Sequence, residues 1–151
     1  MAAIVGWRFE NIDQALEDEE PGLAPVGPAV TPSGGVRMVE DDAAIRQAII
    51  LLLSTAPGER VMRPDYGCPL HRLVFNPNDA TTAGLAIHYV RRALLRWEPR
   101  IDILRLDAGP APDASSSYGE DDGAHLYIRL DYRVRATQRP SRLSLSVGLR
   151  G

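Results

Sequence analysis

With 151 residues, 44% of them hydrophobic, the chain has enough material for one domain with its own core and some surplus. A formal charge of -3 argues against a nucleic-acid binder, which carries a basic domain or stripe. Cys68 is the single cysteine, so no internal disulfide can form, and the apolar run Ile49 to Leu53 is far shorter than the ~20 residues of a membrane span. The start of the chain has an acidic patch where a signal peptide would have a basic segment and an apolar core, so the sequence reads as cytoplasmic.

Residues 1–36 differ in composition from the rest. Glu17-Asp18-Glu19-Glu20 forms an acidic run, and Pro21, Pro25, Pro28 and Pro32 recur among glycines. Such a stretch buries too little apolar surface to offset its ordering entropy, so it reads as a flexible arm. The competing reading is an arm that orders on a partner through Trp7 and Phe9. Residues 37–151 read as one α+β domain.

In that domain, Asp41 or Asp42 is placed to cap a helix starting near Ala43. Ile45, Ala48, Ile49 and Leu52 then share one face at helical spacing. Pro57 and Gly58 end the helix, because the residue before proline disfavours the helical region and glycine permits a left-handed exit. Val61 to Pro64 reads as a short strand, Asp65-Tyr66-Gly67 as a turn, and Leu70 to Phe75 as a helical turn. After the break at Asn76-Pro77, a long helix runs from about Ala80 to Trp97. Ala83, Ala86, Ile87, Val90, Leu94 and Trp97 lie on its apolar side, with Arg91, Arg92 and Arg96 largely opposite. Pro99 forces Glu98 out of the helix, and the chain leaves extended toward Ile101 to Leu106.

Strict alternation marks the last third. Leu126, Ile128, Leu130, Tyr132 and Val134 alternate with polar residues, as do Leu143, Leu145, Val147 and Leu149. Period two over such lengths means strands with one buried face. Gly109 to Gly123 is loop-forming in composition. The expected architecture is α+β: two main helices packed on one face of a mostly antiparallel β-sheet.

Several chemistries can be weighed on these residues. Glu59, Asp65 and Glu98 are the carboxyls available for glycoside hydrolysis, which needs one raised pKa. Arg60 and Arg100 stand beside two of them, and a neighbouring cation lowers a carboxyl pKa. Cys68-x-x-His71 is half of a zinc pattern without its second half, and His88 and His125 are isolated. No metal or cofactor is expected, and no catalytic residue. Glu98 and Arg100, on either side of Pro99, have two readings. They pin the helix exit internally, with Arg60 as a candidate partner of Glu98, or they project and grip another subunit.

Taken in order, Gly58-Glu59-Arg60, Pro64-Asp65-Tyr66-Gly67, Phe75-Asn76-Pro77 and Glu98-Pro99-Arg100 resemble the small baseplate wedge subunit of contractile injection machines. This family includes the T-even phage wedge protein once called a tail lysozyme and the sheath-nucleating baseplate subunit of type VI secretion. The likeness runs from about Glu40 to Leu106. It implies a non-enzymatic structural subunit that joins wedge scaffold proteins, nucleates sheath assembly and stands close to tail tube or hub proteins. Such a subunit would be present in about six copies per particle, without nucleic acid or direct membrane insertion. It also implies that Glu98, Pro99 and Arg100 make assembly contacts, and Glu59 and Arg60 beside them are expected to bind partners too. By the same resemblance, the strand from Arg142 through Leu143, Ser144, Leu145, Ser146 and Val147 faces the sheath and accepts an added strand. The alternatives are a soluble adaptor that binds a response regulator, as a similar anti-adaptor does, and a peptidoglycan muramidase.

Overall fold

The alternating run Leu126–Val134 becomes the middle strand of a sheet in the computed structural model, which describes residues 5–7, 9–10, 27–28, 30–110 and 124–150. In chain order the elements are β1 (Val5–Trp7), β2 (Phe9–Glu10), β3 (Gly27–Pro28), β4 (Met38–Glu40), α1 (Asp41–Ser54), a 3-10 turn at Pro69–Leu73, α2 (Ala80–Trp97), β5 (Ile101–Gly109), β6 (His125–Val134) and β7 (Pro140–Gly148). The last three strands form an antiparallel sheet in the order β5-β6-β7. Two short antiparallel pairs, β1 with β4 and β2 with β3, stand apart from it.

The alternation expected on β6 is what the structure contains. Leu126, Ile128, Leu130, Tyr132 and Val134 are all buried, and across the register Leu143 and Leu145 of β7 meet Leu130 and Ile128. Ile45, Ile49, Leu52 and Leu53 of α1 and Ala86, Val90 and Leu94 of α2 complete the core against this face. The other face is wet and pairs charges across the strands. Asp131 of β6 sits opposite Arg142 of β7 and accepts from its Nε at 2.6 Å and its Nη2 at 3.2 Å. That hydrogen bonding holds the Asp131 carboxyl below its ordinary value. The pair therefore contributes above the ordinary carboxyl range, and its contribution is lost as acid protonates Asp131.

Three local expectations are corrected. Helix α1 begins at Asp41 rather than near Ala43, so both aspartates lie inside its first turn, where the helix dipole favours negative charge. Asp42 also accepts a hydrogen bond from Thr137 Oγ1 at 3.0 Å. Val61 to Pro64 is a turn and not a strand: Arg63 N–H donates to the Arg60 carbonyl at 3.1 Å, and Gly58 N–H closes the loop on the Pro64 carbonyl at 2.8 Å. The helical turn expected over Leu70 to Phe75 is a 3-10 turn that begins and ends slightly earlier. Of the arm, β1 runs along β4, while residues 11–26, including Glu17–Glu20, lie outside the described residues, as do residues 111–123 of the loop between β5 and β6.

Candidate functional site

The site is built where α2 stops. Asp79 caps its start, accepting from Thr82 N–H at 2.8 Å. At the far end Glu98 N–H still donates to the Leu94 carbonyl at 2.9 Å, but Pro99 allows no further helical turn. Glu98 consequently sits at the C-cap with φ -127° and ψ 69°. Its side chain is only 4% exposed, the one buried carboxylate among the described residues.

A buried carboxylate needs a cation and hydrogen bonds, and Arg100 supplies both. Arg100 donates from Nε to Glu98 Oε1 at 2.5 Å and from Nη2 to Oε2 at 2.7 Å. This two-pronged fork across Pro99 is the strongest geometry available to such a pair. The hydrogen bond to Glu98 pushes Arg100 further up from its ordinary value. The fork uses Nε and Nη2 and not Nη1, and the Arg100 side chain remains 41% exposed. Part of its donor capacity thus lies outside the pair. Arg60, expected as a partner of Glu98, is engaged elsewhere: its guanidinium lies 4.1 Å from the Tyr66 ring centroid.

Tyr66 joins the two helix exits. Its ring meets Trp97, the last residue of α2, edge to face with centroids 5.4 Å apart. Burial pushes the Tyr66 hydroxyl up, with Arg60 opposing and Glu98 adding to the shift. Arg96 and Arg63 lie over Trp97 at 4.8 and 5.9 Å. Glu59 serves its own turn, accepting from Ala56 N–H through Oε2 at 2.9 Å. Three motifs distant in sequence therefore converge: the turn at Gly58-Glu59-Arg60, the loop through Tyr66-Gly67, and the exit at Glu98-Pro99-Arg100. The aromatic link and the Arg60–Tyr66 stack have no signature in the sequence beyond the presence of Tyr66 in Pro64-Asp65-Tyr66-Gly67.

Gly67 is what lets the loop close. It has φ +129°, and a Cβ built there would stand 2.3 Å from the Thr55 carbonyl oxygen. The next residue donates to that same oxygen, from Cys68 N–H at 2.8 Å. Gly67→Ala is expected to destabilise the domain by about 1–3 kcal/mol or more, since a strained φ is compounded by a clash with backbone that cannot swing aside. Urea unfolding checks this, with Gly84→Ala, at an exposed helical glycine with open space, expected to be neutral or stabilising.

The strand given a partner role forms one edge of the sheet. Among the described residues β7 pairs only with β6. Leu149 N–H donates to the Ala124 carbonyl at 2.7 Å, which sets the parity: odd-numbered residues of β7 turn their backbone toward β6, and Arg142, Ser144, Ser146 and Gly148 turn theirs away. The Arg142 carbonyl on that outer side accepts from Arg46 Nη1 at 3.0 Å.

Other candidate residues stand apart. The Cys68 thiol is buried, which pushes it up to about 12. Among the described residues no three His, Cys, Asp or Glu side chains gather where they could hold a metal ion.

The chain is similar to several known proteins. The family model described as baseplate wedge protein gp25 matches residues 39–139, which span both helices, β5 and β6. The baseplate wedge protein gp25 of Enterobacteria phage T4 is 29% identical over 70 residues, covering 46% of this chain and 53% of that protein. The chain thus spans about half the length of that relative. A crystal structure from Geobacter sulfurreducens, named for a tail lysozyme, superposes with a TM-score of 0.61 at 39% identity, covering 72% of this chain and 91% of that one. A chain of the six-fold symmetrised anti-feeding prophage baseplate shares the fold, with a TM-score of 0.54 at 21% identity over 82% of each chain. With its family model matching about two thirds of its length, the chain belongs to the baseplate wedge protein gp25 family.

Proposed function

We propose that this chain is a non-enzymatic structural subunit of the baseplate of a contractile injection system. In this reading it joins wedge scaffold proteins near the tail tube or hub and nucleates the sheath, in about six copies per particle. The observation that carries the reading is the Glu98–Arg100 fork, held at a helix exit by the Tyr66 loop within the matched residues. A guanidinium fixed by one carboxylate while half-exposed is preorganised to meet a second acceptor on a partner. Glu59 and Arg60 shape the adjoining turn. In the same reading the protein is made in the cytoplasm and enters the particle there. Among the described residues no helix is long and apolar enough to cross a membrane.

The geometry also favours a structural over a hydrolytic role. Both Glu98 oxygens are taken by Arg100, and one Glu59 oxygen by the Ala56 amide. These oxygens already serve the chain's own donors rather than a substrate.

In the same reading the outer edge of β7, from Arg142 to Val147, receives a strand of the first sheath ring. An added strand needs N–H groups on that edge, and Ser144 turns its N–H outward. Ser144→Pro is expected to stop sheath growth on assembled baseplates while Ser144→Ala leaves it intact, because proline lacks the donor. Electron microscopy of particles reads the outcome, with folding verified by circular dichroism. Normal sheaths on a folded Ser144→Pro protein would remove β7 as the template.

A further inference from the structure

A cavity of about 250 Å³ opens between the loop that carries Tyr66 and the exposed side of α2. Tyr89 and Trp97 supply aromatic wall, and Arg72, Arg92 and Arg96 stand at it with Asp65. For a chain of formal charge -3, this is a local excess of cations. Asp65 is matched by Arg96, which donates to it at 3.4 Å. Arg72 and Arg92 are exposed and make no ion pair among the described residues. The cavity is smaller than the ~300–1,000 Å³ of sites that enclose a whole small molecule, so its size suits one or two side chains. Two unpaired guanidiniums beside an aromatic slot match an acidic segment with an interspersed apolar residue.

We infer that this cavity is a docking site for an acidic, extended segment of another protein chain, with an apolar side chain against Trp97 and Tyr89 and carboxylates on Arg72 and Arg92. The surface lies outside the Glu98–Arg100 fork and the β7 edge, and the inference does not depend on the baseplate reading. Loss of particle assembly would test that reading, whereas peptide binding to the isolated chain tests this one.

The probe is a capped hexapeptide of two leucines and four glutamates, titrated into the full chain at low salt. Binding is followed by the indole N–H resonance of Trp97 in two-dimensional NMR. The expected result is a saturable shift at Trp97, weakened at least tenfold in Kd by Arg72→Gln/Arg92→Gln and weakened as salt rises. The same peptide with glutamines in place of glutamates is expected to bind at least tenfold more weakly. Arg129→Gln, on an exposed position of β6, serves as a folded control and should leave Kd unchanged. No shift at Trp97, or an unchanged Kd in the folded double variant, would overturn the proposal. So would tighter binding of a single-stranded hexanucleotide at the same residues, which would reassign the patch to nucleic acid.

Discussion

Arg100→Ala is expected to cost the isolated domain about 3 kcal/mol or more, while Glu98→Gln costs about 1–2 kcal/mol. The difference arises from burial. Removing Arg100 strands a carboxylate that is only 4% exposed, whereas neutralising Glu98 leaves a guanidinium that is 41% exposed and that water can reach. Urea unfolding of the two variants measures both values. Equal costs would show that the burial asymmetry does not govern the pair. In particles the order should invert in meaning. Glu98→Gln stays folded but loosens the guanidinium, so impaired assembly of this folded variant would report the lost preorganisation. Normal assembly by a folded Arg100→Gln protein would restrict the pair to its internal role.

Leu94→Ala and Leu52→Ala should each destabilise the domain by about 2–5 kcal/mol, the range for a buried leucine whose cavity cannot fully collapse. Each is 1% exposed, and both belong to the cluster between the helices and the sheet. Leu94 has a second task, since its carbonyl receives the Glu98 amide at the helix exit. Leu95, one residue on and 69% exposed, provides the contrast: Leu95→Ala should stay within about 0.5 kcal/mol. Thermal and urea unfolding give both numbers, and a comparable loss at Leu95 would contradict the assigned face of α2.

Much of this architecture can be read from residue patterns because its periodicities are long. Leu126 to Val134 fixes a buried face over nine residues of strand, and α2 is bounded by Asp79 on one side and Pro99 on the other. The failures are short or non-local. Val61 and Met62 have strand-like composition, yet they are 93% and 90% exposed at the tip of a turn. Closure of Gly58 on Pro64 sets that shape, and side-chain propensity does not report it. Pairing of Val5–Trp7 with Met38–Glu40 joins three-residue strands across more than thirty residues, too little pattern for periodicity to detect. The motifs of the candidate site were visible individually. Their meeting was not, because it depends on the Tyr66–Trp97 contact and on Gly67 passing against the Thr55 carbonyl, neither of which has a periodic signature. Arg60 was a reasonable partner for Glu98 by charge, but the turn at Pro99 brings Arg100 there first.

The enclosed sulfur of Cys68 has a practical consequence. With its ionisation displaced to about 12, the nucleophilic thiolate is scarce at neutral pH, and the surrounding side chains deny reagents access. Native protein therefore starts as a thiol-silent background without any substitution. A cysteine placed on the outer edge of β7 or beside Arg92 would be the single attachment point for a dye, spin label or cross-linker, and each surface could be tracked by itself inside an assembled particle.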